Sequence, residues 1–547
     1  MTDIGARSVA AQLADVAVEE GCRDLFTLMG AGNLWLVHHL ATDHGVAIHH
    51  LRHENGAVGA ADGQARATGG IGWCTVTQGP GFTNAITALL TASRGRSPVL
   101  LLVSDSSNLD PQRFPFAGGV QALRPESLLE PLGIASVRAE GTDAPRQLRE
   151  VVHRIRAERQ TIAFIMPAGL DRLDGVAEPA RDTGETPPAP ARTTSAAEFE
   201  ESARLLAAAR SPLIVAGLGA VAADAGAAVI ALAERLGAPV ATSVPASGLV
   251  GQHPLAIGQL GGFSVAETER IAEESDAIIA IGASLNAFQT RSGAFVAGRV
   301  VVRIENTRGG PAPYGDPERV ITHSGGIASG VAALREALDA VGAPTRTVAP
   351  VSRPSLDDDR SRPGAIDPRA LSLALDDVLP TPRRIIVDNG HFGAFPMIHL
   401  THRAPRSLVW LPDFGAVGSA LAASYASATV DPDVQSVLFI GDCGLYMTLG
   451  DLETAVRERT PLIVVCMNDG AAGSELVHMG DWGVPGDQAI FGYADLAALA
   501  RGMGAQGAAI RTVGDLGPAL RGWDRSGPLV LDCHIGRDVR SPIYDHA

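Results

Sequence analysis

Three side chains in this sequence have types and settings that suggest chemistry. In FIGDCGLYM an apolar run stops at Gly441 and a lone carboxylate, Asp442, follows between small residues. Further on, PLIVVCM ends at Asn468, followed by Asp469 and Gly470. Alone, Asp442 reads equally well as a helix N-cap, because aspartate is favoured there and turns favour glycine. The pair says more. If both side chains leave neighbouring strands at one edge, they stand about 4.8 Å apart. Two converging oxygens then suit Mg²⁺, which takes one or two protein oxygens and completes its shell with phosphate. The glycines around them, Gly444, Gly470 and Gly473, leave backbone N–H groups open to the same phosphates. The third side chain, Glu54, ends VAIHHLRHE just ahead of a helix-like stretch. A helix-start carboxylate beside the dipole is the plain alternative.

The elements that must position these groups follow one pattern. Short β-branched runs (DLFTLMG, GWCTVTQ, SPVLLLVSD, PLIVAGLG, AIIAIGASL, RIIVDN, SVLFIGD, PLIVVCMND, PLVLDCH) alternate with amphipathic helical stretches. Such alternation predicts parallel sheets with helices on both faces, whose ligands bind beyond the carboxyl edge of the strands. Proline-, threonine- and charge-rich linkers at 181–195 and 346–366 divide the chain into pieces at 1–180, 196–345 and 367–547. The fold class expected is α/β, with three doubly wound parallel-sheet domains.

Bulk composition narrows the function. The 547 residues carry a net charge of −16, which argues against nonspecific nucleic-acid binding. Five cysteines without a CxxC pair argue against a disulfide framework or structural zinc. The acidic amino-terminal stretch does not resemble a signal peptide, and no apolar run approaches membrane-spanning length, so a cytoplasmic protein is expected.

Gly441-Asp442-Cys443, twenty-four residues, then Asn468-Asp469 resembles the GDG…NN diphosphate signature of thiamine diphosphate (ThDP) enzymes, in the acetolactate synthase and 2-oxo-acid decarboxylase branch. The resemblance implies Mg²⁺ held by Asp442, Asn468 and the Gly470 carbonyl, with Gly441, Cys443, Gly444, Ala472 and Gly473 around the diphosphate. Cys443 replaces the usual third glycine and Asp469 the second asparagine; neither change removes a side-chain ligand. The block from Leu51 to Leu89 resembles the family's pyrimidine-binding segment, with Glu54 as its glutamate. A carboxyl on the aminopyrimidine N1′ favours the imino tautomer and so makes the neighbouring nitrogen basic enough to take a proton from the thiazolium. The resemblance also places Gly30, Pro80 and Asn84 near the pyrimidine. It places Asn389, Gly390 and His391 on the far side of the diphosphate. The Gly415–Gly418 turn corresponds to the family's bending turn, with Val417 as the wedge and the Gly415 carbonyl as acceptor for the amino group.

For the reaction, Gln121 resembles the pocket glutamine of carboligases, and Glu475, with His478 one helical turn on, resembles a decarboxylase proton donor. Phe116 is a further candidate substrate contact. His49 and His50 read as structural. The middle piece has Gly217, Gly219 and Ala222 after a strand, but APVATSV ends without the acid an NAD ribose requires. GASLNAFQTRSG aligns loosely with a flavin loop of acetolactate synthases, so FAD is possible but unsupported. The expected activity is ThDP- and Mg²⁺-dependent decarboxylation of a 2-oxo acid with transfer of the acyl carbanion to a second carbonyl. The alternatives are a simple decarboxylase releasing an aldehyde and a silent ThDP-fold binding protein. The family implies a homodimer or homotetramer with sites between chains, and leaves a regulatory subunit open.

Overall fold

The computed structural model describes residues 7–170, 173–175, 195–306, 310–347 and 356–545. Most of the first linker therefore lies outside the described residues, as do residues 348–355 of the second.

Eighteen strands form three six-stranded sheets among the described residues, and every registered pair is parallel. The first sheet holds β1 (Asp24–Leu28), β2 (Ala47–His50), β3 (Gly72–Val76), β4 (Val99–Asp105), β5 (Ala135–Arg138) and β6 (Ile162–Pro167). The second holds β7 (Pro212–Ala216), β8 (Val240–Thr242), β9 (Ala256–Gln259), β10 (Ala277–Ile281), β11 (Val300–Glu305) and β12 (Arg319–Ser324). The third holds β13 (Arg383–Val387), β14 (Leu408–Trp410), β15 (Gln435–Gly441), β16 (Ile463–Asn468), β17 (Gln506–Ile510) and β18 (Leu529–His534). The α/β class and the three-sheet organisation are as the alternating runs predict. The central strands are buried at nearly every position, including all of β4, β7, β10, β13 and β16, because helices cover both faces.

The two outer sheets share one topology. Their orders, β2-β1-β3-β4-β6-β5 and β14-β13-β15-β16-β18-β17, superpose strand for strand. The middle sheet, β12-β11-β10-β7-β8-β9, has the order of dinucleotide-binding folds. Its switch point is closed by hydrogen bonds, Gly217 N–H to the Ile281 carbonyl (2.9 Å) and Gly219 N–H to the Gly282 carbonyl (3.0 Å). The glycines singled out in the sequence thus join two loops.

The outer domains pack on each other through helix Glu54–Thr68 and helix Ala420–Val430. The second, ALAASYASATV, is buried from Ala420 to Ala428, and its small side chains allow contact on every side. A Cβ on Gly63 would sit 2.4 Å from the Ala423 Cα, so only glycine permits this approach. His49 reinforces the junction. Its Nε2 meets Asp24 Oδ1 at 2.9 Å, while its Nδ1 meets Glu458 Oε2 at 3.1 Å and the Tyr425 hydroxyl at 2.9 Å. Burial alone would lower the imidazole pKa, but these two carboxylates prevail and hold it up at about 9. The structural reading of His49 rests on this clamp.

Candidate active site

At the carboxyl edge of the third sheet, β15 and β16 are neighbours with Gly441 opposite Met467. Asp442 and Asn468 are therefore the next pair in register, at one edge of the sheet. Asp442 opens helix Asp442–Met447 and is buried, which raises its pKa. Asp469 lies beside it, and burial together with the Asp442 charge pushes Asp469 up to about 7. The Asn468 amide is fixed by its Nδ2, which donates to the Ala494 carbonyl (3.1 Å) and Asp532 Oδ1 (2.8 Å). Its Oδ1 is buried without a hydrogen-bond donor among the described residues. An orphaned amide oxygen at the same strand edge as two buried carboxylates is a donor set that a hard divalent cation can complete. The residues present fit Mg²⁺.

The third expected ligand differs. The Gly470 carbonyl accepts from Phe491 N–H (2.8 Å), Gly492 N–H (2.9 Å) and Arg537 Nη2 (3.3 Å), so its lone pairs are engaged. The same guanidinium donates from Nε to the Asp469 carbonyl at 2.5 Å. Arg537 thereby fixes the Asp469–Gly470 turn, a role that its position sixty-odd residues downstream does not signal. Cys443 is half-buried and donates to the Ala471 carbonyl, and burial with the adjacent Asp442 pushes its thiol up to about 11. It is a small neutral filler. Gly444 and Gly473 are tightly enclosed: a Cβ would come within 2.6 Å of Asp388 Oδ2 in the first case and 2.7 Å of Asp469 Oδ2 in the second.

Asp388, which follows β13, is the functional residue the sequence reading missed. Fully buried, it accepts from Gly418 N–H through Oδ2 (2.7 Å) and from Ala420 N–H through Oδ1 (3.3 Å). Burial raises it to about 7 against the pull of those N–H groups. The Gly415–Gly418 turn hangs on this carboxyl and on Asn389, whose Nδ2 donates to the Leu411 (2.8 Å) and Ala416 (2.6 Å) carbonyls. Asn389 thus holds the bending turn with its amide N–H groups, whereas the sequence assigned it to the diphosphate. Gly415 adopts φ +73° with open space around it, and Val417 is 39% exposed at the tip of the turn. Gly390 leads into His391, whose Nε2 accepts from Ser541 N–H at 2.9 Å. Burial, helped by Arg540, lowers this imidazole to about 4, so the ring is neutral and its Nδ1 carries the proton.

At the carboxyl edge of the first sheet, Glu54 begins helix Glu54–Thr68 and is 8% exposed. Its Oε2 accepts from Asn84 Nδ2 at 3.0 Å, so the asparagine chosen as a pyrimidine neighbour orients the glutamate. Pro80 is the first residue of helix Pro80–Asn84, which brings Asn84 into reach. Gly30 packs on Thr77, where a Cβ would lie 2.7 Å from the threonine Cβ. Gln121 is coupled to a residue that was not foreseen. Gln78 Nε2 donates to Gln121 Oε1 at 3.2 Å, while its own Oε1 accepts from Thr77 (2.7 Å) and Ser104 (3.1 Å) hydroxyls. With its oxygen so engaged, Gln121 has its NH₂ left to donate to a substrate oxygen. Phe116 is 66% exposed in the adjoining segment.

Glu475 and His478, three residues apart, form no hydrogen bond with each other among the described residues. Both lie on helix Gly473–Asp481, but Glu475 is exposed and His478 stacks on Trp482 with centroids 5.4 Å apart and meets Tyr544 edge-on at 5.3 Å. Ala472 caps this helix, and its N–H donates to the Ala489 carbonyl.

Comparison with known proteins covers most of the chain. Residues 7–121 match the model described as thiamine pyrophosphate enzyme, N-terminal TPP binding domain; residues 199–308 match its central domain and residues 388–533 its C-terminal TPP binding domain. A putative acetolactate synthase large subunit of Mycobacterium tuberculosis is 27% identical, covering 92% of this chain and 93% of its own. A sulfoacetaldehyde acetyltransferase of Alcaligenes xylosoxydans xylosoxydans is 24% identical over 93% and 89% of the two chains. A probable 2-ketoarginine decarboxylase of Pseudomonas aeruginosa is 29% identical over 89% and 87%. Among solved structures, the ThDP-dependent 4-hydroxybenzoylformate decarboxylase of Rhodococcus jostii superposes with a TM-score of 0.81 at 19% identity, covering 97% and 100% of the chains.

Proposed function

The chain belongs to the thiamine pyrophosphate enzymes, and on that premise we propose that it decarboxylates a 2-oxo acid and passes the acyl group to a second carbonyl compound, as an acetolactate synthase does. When bound, thiamine diphosphate supplies a nucleophilic carbon and an electron sink for decarboxylation. In this reading Asp442 and the Asn468 oxygen hold Mg²⁺, and the His391 Nδ1–H donates to the diphosphate. Glu54, steadied by Asn84, donates or shares a proton at N1′ of the aminopyrimidine. The Gly415 carbonyl would accept from the 4′-amino group, and Val417 would pack against the bound cofactor.

The observation that carries transfer over simple release is the Gln78–Gln121 amide pair, which leaves donors for the carboxylate or carbonyl of an acceptor. Of the proton donors that would favour release, Glu475 is exposed and His478 is stacked on Trp482. The decarboxylase reading remains the second, favoured by the relative named a 2-ketoarginine decarboxylase. Incubation with pyruvate, ThDP and Mg²⁺ separates the two. Acetolactate with one CO₂ per two pyruvates is expected. Acetaldehyde alone supports release, and neither product from cofactor-loaded protein rules out pyruvate as donor.

We also assign the protein a homodimer or homotetramer. Both site faces expose large apolar side chains, Phe116 and Val120 on the first domain and Met447, Trp482 and Phe491 on the third, each above 60% exposed, as faces that cover one another would. Sedimentation of active protein as a monomer would defeat this. The five cysteines are unpaired and no helix of the described residues is long and apolar enough to cross a membrane, which fits the cytoplasmic location proposed.

A further inference from the structure

A cavity of about 430 Å³ lies where the middle domain meets the third, and it shares no residue with the site described above. Its walls carry two carboxylates, Asp376 and Asp377, and three imidazoles, His253, His399 and His402, but no lysine or arginine. Asp376 is already satisfied: it accepts from the Thr401 N–H (2.8 Å) and hydroxyl (2.6 Å) and pairs with Arg383. Asp377 is exposed, and no hydrogen bond or ion pair to it is formed among the described residues. His253 is engaged by Glu234 (3.2 Å) and by Leu255 N–H (3.3 Å), and Arg403 outside the cavity donates to Gln252 (2.7 Å).

Apart from the Gln252 amide NH₂ and the serine and threonine hydroxyls, the remaining polar side chains of the wall offer acceptors. His399 Nδ1 donates to the Phe395 carbonyl (2.9 Å) and His402 Nε2 to the Met397 carbonyl (3.1 Å). A carbonyl only accepts, so these nitrogens carry the protons. Burial lowers both imidazoles, His402 to about 4, and keeps them neutral. His399 Nε2 and His402 Nδ1 are then bare lone pairs, and the latter meets no donor. Gln259, 7% exposed, donates through Nε2 to Ser247 Oγ (2.9 Å) and the Met397 carbonyl (3.2 Å), leaving its Oε1 buried without a partner. The Phe263 ring, Val250 and Ile257 supply apolar wall.

We propose that this junction binds a small organic cation, a primary ammonium or guanidinium compound with a short apolar stem. Its N–H groups answer lone pairs that the protein leaves open, its charge answers Asp377, and its stem lies on Phe263, Val250 and Ile257. Occupancy would also reach the catalytic edge. The Gln259–Met397 bond crosses the domain junction, and helix Ala394–His399 begins where the His391–Gly393 turn ends.

The test is calorimetric titration of the full chain with n-butylammonium and n-butylguanidinium, with n-butyrate as the control of opposite charge. Saturable binding of one or both cations at one site per chain is expected, with no butyrate binding. Asp377→Asn, which alters only an exposed charge, should weaken it by up to about fivefold, the upper range for an exposed ion pair. Gln259→Leu and His402→Phe, each checked by circular dichroism for a retained fold, should weaken it further. No saturable binding of either cation, equal binding of butyrate, or binding that all three variants leave unchanged overturns the proposal.

Discussion

The first and third domains share one six-stranded topology, yet the carboxyl edges of their sheets are finished in opposite ways. In the first, Glu54 is tied to the neutral amide of Asn84, and Asp105, at the end of β4, is neutralised by Arg138 at 2.6 Å. Paired glutamines complete the surface. In the third, two buried carboxylates lie close together, an amide oxygen is orphaned, and Arg537 braces the turn beside them. The scaffold therefore does not decide what is bound. Charge density at the strand edge does: a weakly charged edge suits a heteroaromatic ring, and a carboxylate cluster suits a cation carrying phosphate.

Substitutions that exchange these properties break the contrast, and the largest effect belongs to the weakly charged edge. Glu54→Gln keeps the shape and removes the acid, so turnover should fall by about a thousandfold while cofactor affinity, measured by calorimetry, changes little. Equal loss of affinity and turnover would make Glu54 a mere packing residue. At the charged edge, Asn468→Leu removes the orphaned oxygen. It should weaken Mg²⁺-dependent cofactor binding by about a hundredfold, and excess Mg²⁺ should restore part of it. Insensitivity of that affinity to Mg²⁺ in both proteins would remove the metal from the charged edge.

A smaller effect sharpens the role of the glutamine pair. Gln78→Leu frees Gln121 to rotate, so product formation should fall by about tenfold. The rise should fall on KM for the acceptor, with cofactor affinity unchanged; a change confined to cofactor affinity would contradict the assignment.

The smallest effect on turnover is expected at the junction that joins the two domains. His49 is held up at about 9, above its ordinary value of 6.5, so the clamp's contribution is fully present below pH 6.5 and disappears as pH rises through 9. His49→Gln should cost on the order of 3 kcal/mol at about pH 6 and much less at about pH 10, read by thermal unfolding. A penalty independent of pH would mean that the clamp is packing alone.

The buried runs were legible because central parallel strands need continuous apolar sequence, and β15 and β16 could be drawn with their ends in place. Edge strands such as β5 (ASVR) and β17 (QGAAI) were not, being short and only partly buried. Asp442 and Asn468 could be singled out because each ends an apolar run at a turn, and Glu54 through the resemblance of its segment to a pyrimidine-binding block. Asp388 also follows an apolar run, in RIIVDN, but only the distant Gly418 and Ala420 N–H groups that it holds give it a role. Gln78 sits in an ordinary glycine-proline turn and gains meaning through Gln121, forty-three residues on.

Sequence by itself determined the layers, the count of sheets cored by long apolar runs, and which acids end those runs, because burial and turn chemistry act over a few neighbouring residues. Tertiary structure alone decided that the Gly470 carbonyl is engaged, that Asn389 braces a turn, that His478 stacks on Trp482, and that a cavity lies at the junction of two domains. Apart from that local stacking, those outcomes depend on contacts between segments tens to hundreds of residues apart, whose partners no local pattern records.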